Sequence, residues 1–317
     1  MIEQPPQPAD IGTDTETRPA KRRAKPRRKA AGKTAARPTA KTAANPGGKT
    51  HVPGGKTHVI VTGVARSGTT ALAKLLNAHE GICLGVERFK FQFLRQNNHS
   101  AALFERDRFF TFLEEDTNIR PDSKPEWQPL YEDIARKWDS ARVIGDKVPD
   151  MMPVLPAFLQ TNPDFKCIYI LRSLKAVALS WQTRADDRRD SWPSGRGFEL
   201  ACESWAAQAR DMEQLMASGR VKGRILLLDY DKMYEPGNRS AEAILRFLDL
   251  PASAAFSATY QEHVDFFQSR GPARSRLPEP FKAVYANTDK TDFQALRSRA
   301  RRHVVRLSGK PGKVLTA

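Results

Sequence analysis

The sequence predicts an α/β fold, a parallel and doubly wound sheet that contains a P-loop-like strand, loop and helix. Apolar runs typical of strands buried on both faces, such as Cys167–Leu171 and Ile225–Leu228, alternate with segments of helical periodicity. This alternation indicates parallel strands joined by helices, and ligands of such sheets bind beyond the carboxyl ends of the strands. We therefore expect the functional residues just after the strands.

The strands are predicted at 58–62, near 82–84, and at 142–145, 166–171 and 224–229. Between the last two, the segment from Phe198 to Ala217 places Trp205 and Met212 on one side of a helix. A later helix is expected to be capped by Ser240 and to end before Pro251.

The first 56 residues differ in composition from the rest of the chain. They contain 13 Lys and Arg against 4 Asp and Glu, and no aromatic residue. Such a segment cannot bury enough apolar surface to offset its ordering entropy, so we expect a disordered basic tail over 1–56 and a single folded domain over 57–317. The tail is interpreted as a solubilising segment, with weak contact to an anionic polymer as the alternative.

Composition also limits the compartment and the partners. The net charge is +16, no apolar run approaches 18 residues, and Met1 to Asp10 lack the features of a signal peptide. The three cysteines are widely spaced and form no metal-ligand pattern. We therefore expect buried thiols, a cytoplasmic location and no membrane span.

The most informative segment follows the first strand. Gly63 and Gly68 bound a short loop that leads directly into a helix with Leu72, Leu75 and Leu76 at helical spacing. Glycines let consecutive N–H groups point at an anion, and the helix N-terminus adds the positive end of its dipole. The loop and helix start add further donors, in the order Ala65-Arg66-Ser67-Gly68-Thr69-Thr70. The segment predicts a phosphate- or sulfate-binding site.

The spacing of these glycines is that of a P-loop, but the expected lysine is missing. Thr69 follows Gly68 where a Walker sequence has Lys. Because that lysine holds the terminal phosphates of a triphosphate, its absence argues against a P-loop nucleotide kinase or NTPase, which stays as an alternative. A second alternative is a basic-tailed nucleic-acid-binding protein with a degenerate anion site.

The segment from Ala65 to Thr70, followed by Leu72 and His79, resembles the 5′-phosphosulfate loop of the sulfotransferase superfamily, in its tyrosylprotein-type and bacterial branches. Ala65 replaces the usual Pro. The resemblance implies transfer of a sulfuryl group from 3′-phosphoadenosine 5′-phosphosulfate (PAPS) to a hydroxyl or amine, without a metal. It also implies that Arg66, Ser67, Gly68, Thr69 and Thr70 bind PAPS, with Arg66 also taking part in catalysis.

A second strand, turn and helix carries Arg172, Ser180 and Arg184. This segment resembles the 3′-phosphate motif of the family, an Arg with a Ser eight positions later, although Ser173-Leu174 replaces the frequent Asp/Asn-Pro. The resemblance implies that Arg172 and Ser180 bind the 3′-phosphate, and that Arg184, which matches an additional basic position of the tyrosylprotein-type branch, also binds the cofactor. It further implies that Tyr230, in a segment like the family's Tyr-Glu-x-Leu, lines the nucleotide pocket.

Two catalytic residues are also implied by the resemblance. Lys147 lies in a segment like the family's Lys-x-Pro and is expected on the transferring sulfuryl group. Glu87 is expected as the base, although Val86 replaces the first Glu of the family's Gly-Glu-Glu. The alternative for Glu87 is an ion pair with Arg88 or Lys90 on a helix start. The alternative bases are His99 and His263.

The acceptor is not specified by any motif. We expect a small molecule, a glycan or another hydroxyl-bearing acceptor, since acceptor pockets come from variable loops. The polar loop 185–197 is a candidate for closing over substrate, with Trp192 stacking on an acceptor ring. The stretch from Arg270 to Arg276 is a further candidate for contact with the cofactor phosphates.

Overall fold

Five parallel strands form one sheet in the order β2-β3-β1-β4-β5 in the computed structural model, which describes residues 55–270 and 276–309. The strands are β1 (Thr57–Thr62), β2 (Ile82–Val86), β3 (Val143–Lys147), β4 (Lys166–Leu171) and β5 (Ile225–Asp229). The predicted α/β class and parallel sheet are confirmed. Because β1 is central, its two neighbours β3 and β4 bring their carboxyl ends next to the loop that follows β1.

Helices connect the strands and cover the sheet. They are α1 (Thr69–Asn77), α2 (Lys90–Leu94), α3 (Arg106–Phe110), α4 (Gln128–Lys137), α5 (Leu155–Thr161), α6 (Leu174–Asp186), α7 (Phe198–Ala217), α8 (Ser240–Leu248), α9 (Ala254–Arg270), α10 (Lys282–Asn287) and α11 (Thr291–Ser308). Short 3₁₀ turns lie at 101–104, 125–127 and 279–281.

Both faces of the sheet are buried, as the continuous apolar runs predicted. On one face Ile60 packs in a cluster that includes Trp181 of α6 and Trp205 of α7. On the other face Val61 packs in a cluster that includes Leu72 of α1. Alternate residues of the same strand therefore pack in two different hydrophobic cores, which is why the strands contain few polar residues.

The strand boundaries differ from the prediction at the carboxyl ends of β2 and β3. β3 was expected to end at 145, but it continues through Asp146 and Lys147, both almost completely buried. Two charged residues interrupt the apolar pattern that marks a strand, so the pattern ended too early. Lys147 is therefore the last residue of the strand and not, as the predicted end at 145 implies, a residue that follows it.

The predicted cap of α8 is also corrected. Ser240 is the first residue of the helix, and its N–H donates to the side chain of Asn238 at 2.8 Å. The amide oxygen of Asn238 can reach this N–H from two residues upstream, which is the arrangement of an Asx turn.

Several expectations concern residues outside those the structure describes. The basic tail lies outside them except for its last two residues, and so do residues 271–275 of the arginine-rich stretch. Within 55–270 and 276–309, no helix combines the length and the apolar content that crossing a membrane requires. The three cysteines are buried and free, as predicted.

Candidate functional site

A cleft of about 550 Å³ lies at the carboxyl ends of the strands. Each of the five strands is followed by at least one residue of its wall, so the cleft is a property of the sheet as a whole. The wall is formed by Ala65, Arg66, Gly68, Thr69, Thr70, Ala71, Glu87, Lys90, Leu94, Pro149, Asp150, Arg172, Arg184, Trp192, Arg196 and Tyr230.

The loop after β1 has the backbone that its glycines predicted. Gly68 has φ 95° and immediately precedes α1, and Arg66 also has a positive φ, 73°. A residue other than glycine is uncommon in this conformation, and such residues cluster at functional sites. The loop therefore turns Arg66 toward the cleft, where the N-terminus of α1 presents Thr69 and Thr70.

The position of Tyr230 also requires a glycine at Gly68. A Cβ atom at Gly68 would lie 2.3 Å from the Tyr230 ring, far inside van der Waals contact. Tyr230, which follows β5, therefore packs directly on the backbone of the loop. Its ring also lies 5.0 Å from the guanidinium of Arg172.

The second predicted motif meets the first at the same cleft. Nη1 of Arg172 donates to the carbonyl oxygen of Arg66 at 2.8 Å. Nε of Arg66 donates to Oγ of Ser180 at 3.1 Å. Partial loss of hydration and the positive charges of Arg184 and Arg172 lower the pKa of Arg66. Two strand–loop–helix segments separated by more than a hundred residues thus form one cationic site.

Arg184, the third residue of the second motif, is held by a carboxylate from the loop that follows α6. Nε of Arg184 donates to Asp190 at 2.5 Å, and Nη2 makes a second bond to the same group. The hydrogen bonds from Arg184 lower the pKa of Asp190 more than burial raises it. Asp190 therefore places a negative charge beside an arginine that the resemblance counts among the cofactor-binding residues.

The same loop is also attached to the wall of the cleft through Arg196 and two tryptophans. The guanidinium of Arg196 lies 4.3 Å from the Trp181 ring and 4.5 Å from the Trp192 ring. Nε1 of Trp192 donates to the carbonyl oxygen of Arg196 at 2.9 Å. Trp192 lines the cleft, and its ring lies nearly perpendicular to the Trp181 ring, with the two centroids 5.1 Å apart. Its stacking on an acceptor stays a prediction.

Asp150 joins this loop to the loop after β1, a role that the sequence did not predict. Its Oδ1 accepts the N–H of Ala65 at 2.8 Å and an amide N–H of Gln208 at 3.0 Å, while Oδ2 accepts from Arg196 at 3.1 Å. Asp150 has φ 57°. An Asp directly after the Lys-x-Pro segment is a signal that could have identified it, because strand-end polar residues in this fold face the ligand edge.

Glu87 and Lys147, two of the three predicted catalytic residues, form an ion pair at the ends of adjacent strands. Nζ of Lys147 lies 3.0 Å from Oε1 of Glu87, and Nζ of Lys90 lies 2.7 Å from Oε2. The Lys147 side chain is 2% exposed and the Glu87 side chain 14%. Glu87 has φ 53°, again a left-handed backbone. The ion pair with Lys90 that sequence reasoning offered as an alternative is present together with the pair to Lys147.

The charge of Glu87 depends on these two lysines. Burial by itself would raise the pKa of Glu87, but the positive charges of Lys147 and Lys90 and their hydrogen bonds outweigh it, so the pKa lies below its usual range. Glu87 is therefore a carboxylate near neutral pH. Its basicity would increase if either lysine moved to another negative charge.

The remaining predicted residues lie beside the cleft or away from it. Ser67 is 1% exposed, and its N–H donates to the carbonyl oxygen of Val64. Its ligand role stays a prediction. His99 packs against Phe158, and His263 bonds to Tyr234, so neither alternative base forms part of the wall.

The described residues offer sites for anions more clearly than for metals. In residues 55–270 and 276–309, no group of three or more His, Cys, Asp or Glu side chains is arranged to hold a metal ion. Among the residues that the structure describes, Nε of Arg172 is a buried donor at the cleft with no hydrogen-bond partner. An arginine nitrogen in this state is suited to an anionic ligand.

Solved structures of several sulfotransferases are similar to this chain. Mouse sulfotransferase SULT7A1 complexed with PAP is 13% identical, with a TM-score of 0.45, and the match covers 77% of this chain and 88% of that one. The sulfotransferase domain of the olefin synthase from Synechococcus PCC 7002 is 19% identical, with a TM-score of 0.44 and coverage of 78% and 95%. The sulfotransferase STF1 of Mycobacterium tuberculosis is 17% identical, with a TM-score of 0.41 and coverage of 66% and 72%.

A comparison with curated protein sequences gives no match. A comparison with protein-family models does give a match. Residues 58–254 match the model of the Sulfotransferase family, a range that includes both strand–loop–helix motifs, Glu87, Lys147 and Tyr230. This range is more than half of the chain, and the chain belongs to the sulfotransferase family.

Proposed function

We propose that the chain transfers a sulfuryl group from PAPS to a hydroxyl or amine acceptor and releases adenosine 3′,5′-bisphosphate. One observation carries the proposal. Arg66 and Arg172, which come from two different strand–loop–helix segments, are joined by a hydrogen bond at one cleft, with Arg184 close enough to affect the pKa of Arg66. A ligand with one phosphate needs only one of these cationic segments. A ligand with both a 5′-phosphosulfate and a 3′-phosphate needs two of them side by side.

The donor set of the cleft fits this ligand. Arg66, Thr69 and Thr70 line the cleft at the N-terminus of α1, where backbone N–H groups favour an anion. The unpartnered buried Nε of Arg172 supplies a donor on the other side. We assign the 5′-phosphosulfate to the first group, with Gly68 allowing close approach and Tyr230 beside it.

We assign the 3′-phosphate to Arg172, Ser180 and Arg184. The hydroxyl of Ser180 now accepts from Arg66, and Arg184 is paired with Asp190. A phosphate at this position would replace the Asp190 carboxylate as the partner of Arg184, because its charge is larger and its oxygens accept the same bidentate geometry.

Bound PAPS supplies the activated sulfuryl group. Glu87 accepts the proton of the acceptor hydroxyl, and Lys147 donates to the oxygen on which negative charge develops. The two roles are coupled, since Nζ of Lys147 is 3.0 Å from the Glu87 carboxylate. As Lys147 turns toward developing charge, Glu87 loses part of the field that lowers its pKa and becomes a better base.

The acceptor occupies the part of the cleft beside Glu87. Lys90 and Leu94 of α2 line this part, together with Pro149, and Trp192 and Arg196 lie on the loop across the cleft. These residues suit a small molecule, a glycan or another hydroxyl-bearing acceptor. Three buried free cysteines support a reducing compartment, and we place the reaction in the cytoplasm.

The proposal is tested by thermal unfolding with nucleotides. Adenosine 3′,5′-bisphosphate at a hundred times its dissociation constant should stabilise the protein by about 2.7 kcal/mol. ATP with Mg²⁺, and AMP, should stabilise it much less at equal concentration, because neither carries a 3′-phosphate. Equal shifts from ATP with Mg²⁺ and from the bisphosphate would contradict PAPS as the donor.

A further inference from the structure

Asp146, next to Lys147 on β3, is a buried carboxyl group that the mechanism above does not use. It is completely buried, and its two oxygens accept two consecutive backbone N–H groups: Oδ1 accepts Arg88 N–H at 3.0 Å and Oδ2 accepts Phe89 N–H at 2.8 Å. Both oxygens therefore act as acceptors, an arrangement that suits the ionised form of the group. These two N–H groups belong to the residues directly after Glu87.

The turn that carries Glu87 is therefore held to β3 on both sides. The N–H of Glu87 donates to the carbonyl oxygen of Lys147 at 2.7 Å, and the next two N–H groups bind Asp146. Glu87 has φ 53°, a conformation that costs a side-chain residue free energy and persists only where surrounding contacts enforce it. The contacts that enforce it here come from two successive residues of β3.

The side chain of Arg88 fixes the same turn from the opposite direction. It is completely buried, and its guanidinium donates to Asp116 at 2.8 Å and to the carbonyl oxygens of Phe109 and Thr111 at 2.8 and 2.6 Å. The turn is thus attached through the backbone to Asp146 and through the Arg88 side chain to the segment around α3. Glu87 lies between these attachments with little freedom to move.

Gly85 on β2 shows how closely Asp146 approaches this turn. Gly85 pairs with Asp146 in the sheet register, and a Cβ atom at Gly85 would lie 2.9 Å from Cβ of Arg88 and 3.1 Å from Oδ1 of Asp146. The absence of a side chain at Gly85 leaves the space through which the Asp146 carboxylate reaches the two N–H groups.

We propose that Asp146 is a positioning residue of sulfuryl transfer: its carboxylate holds the N–H groups of Arg88 and Phe89 and so fixes Glu87 in the left-handed turn that presents its carboxylate to Lys147. This role rests on the proposed function of Glu87 as the base. A buried carboxylate is costly unless it is hydrogen-bonded, and both oxygens of Asp146 are bonded to the turn beside the catalytic pair.

The test is a double-mutant cycle between Asp146→Asn and Glu87→Gln. Asparagine keeps the volume and one acceptor oxygen, but it turns an amide N–H₂ toward the second backbone N–H. We expect Asp146→Asn to lower kcat with PAPS and any acceptor that the wild type sulfates by about tenfold or more, with the dissociation constant of adenosine 3′,5′-bisphosphate within about twofold. In the Glu87→Gln background, Asp146→Asn should lower kcat by less than about twofold, because its effect acts through Glu87.

If the fold-losses of kcat in the two single variants multiply in the double variant, the proposal is overturned, since Asp146 then contributes independently of Glu87. Unchanged kcat in Asp146→Asn would also overturn it. If Glu87→Gln itself keeps full kcat, the base assignment fails first, and the two failures are thereby distinguished. Glu213→Gln, which changes a carboxylate paired with Arg299 away from the cleft, is the matched control and should leave kcat unchanged in either background.

Gly85→Ala provides a second disturbance of the same contact if Asp146→Asn does not fold. The Cβ of the alanine presses on Arg88 and Asp146 from β2. The substitution removes none of the hydrogen-bonding groups of the turn. We expect the same loss of kcat, the same retained bisphosphate affinity and the same small effect in the Glu87→Gln background. Full kcat in a folded Gly85→Ala protein would contradict the proposal.

Discussion

Nζ of Lys147 lies 3.0 Å from Oε1 of Glu87, at the ends of two neighbouring parallel strands. The register pairs Val86 with Lys147, so the residue after β2 reaches across to the last residue of β3. The pair is largely shielded from water, and the positive charge of Lys147 lowers the pKa of Glu87. We interpret Glu87 as the base and Lys147 as the hydrogen-bond donor to the oxygen on which negative charge develops.

Replacing Glu87 by Gln should separate catalysis from binding. The amide keeps the shape of the side chain but cannot accept the acceptor proton, so kcat should fall by about a hundred- to ten-thousand-fold. The dissociation constant of adenosine 3′,5′-bisphosphate should change little. Steady-state kinetics with PAPS and calorimetry with the bisphosphate measure the two effects, and near-normal kcat would remove Glu87 from the mechanism.

Replacing Gly68 by Ala should damage the phosphosulfate site. The new Cβ would meet the Tyr230 ring, and φ 95° is unfavourable for alanine, so we expect a loss of about 1–3 kcal/mol in stability and weaker bisphosphate binding. Gly195→Ala is the control, because a Cβ at Gly195 has no atom within 4 Å. Adding Tyr230→Ala to Gly68→Ala should recover the steric part of the stability loss, measured by urea unfolding. No recovery would mean that the backbone conformation alone is responsible.

Asp146 should make stability depend on pH with a definite sign. Burial raises the pKa of Asp146 to about 7 from an ordinary 3.8, against the hydrogen bonds of Phe89 and Arg88 and the charge of Lys147. The folded protein therefore keeps a proton that the unfolded chain has lost between these values, and the contribution of this group to stability falls as the pH rises through that window.

Asp146→Asn removes this dependence. The free energy of unfolding in urea, measured for both proteins at about pH 5 and about pH 8, should fall more for the wild type than for the variant, by up to about 1.4 kcal/mol per pH unit within the window. Parallel pH dependence of the two proteins would contradict a raised pKa for Asp146.

Removing residues 1–54 should leave the folded domain intact. Lys56 belongs to that domain, since its Nζ donates to the carbonyl oxygens of Trp138 and Ala141 at 2.5 and 2.8 Å. A protein that begins at Gly55 should keep its Tm within about 2 °C, whereas one that begins at Thr57 should lose about 2–4 °C. Loss of folding or of bisphosphate affinity on removing 1–54 would show that the tail does contribute.

The sequence predicted the parts of the site that are local in the chain. Strand, loop and helix are contiguous around Gly68 and around Arg172, so short-range patterns were sufficient to place both motifs at strand ends. The same holds for α7, whose buried Trp205 and Met212 follow the helical period.

The parts that were missed depend on contacts between distant segments. Asp150 binds Ala65, which lies 85 positions away, and Asp146 binds Arg88 across a strand pair whose order no local pattern specifies. The partner of Arg184 was missed for another reason. Asp190 is in a loop of mixed charges, where composition does not indicate which acid faces which arginine.

The central claim is that Arg172, Ser180 and Arg184 recognise a 3′-phosphate, and calorimetry tests it most directly. The wild type should bind adenosine 3′,5′-bisphosphate more tightly than AMP by about ten- to a hundredfold, the contribution of one or more charge-assisted hydrogen bonds. Arg184→Ala should remove most of that preference and leave AMP affinity nearly unchanged. The control is Arg189→Ala, which removes an exposed arginine of the loop that follows α6 and should keep the preference. Equal affinities of the wild type for the two nucleotides, or a full preference in Arg184→Ala, would contradict the account.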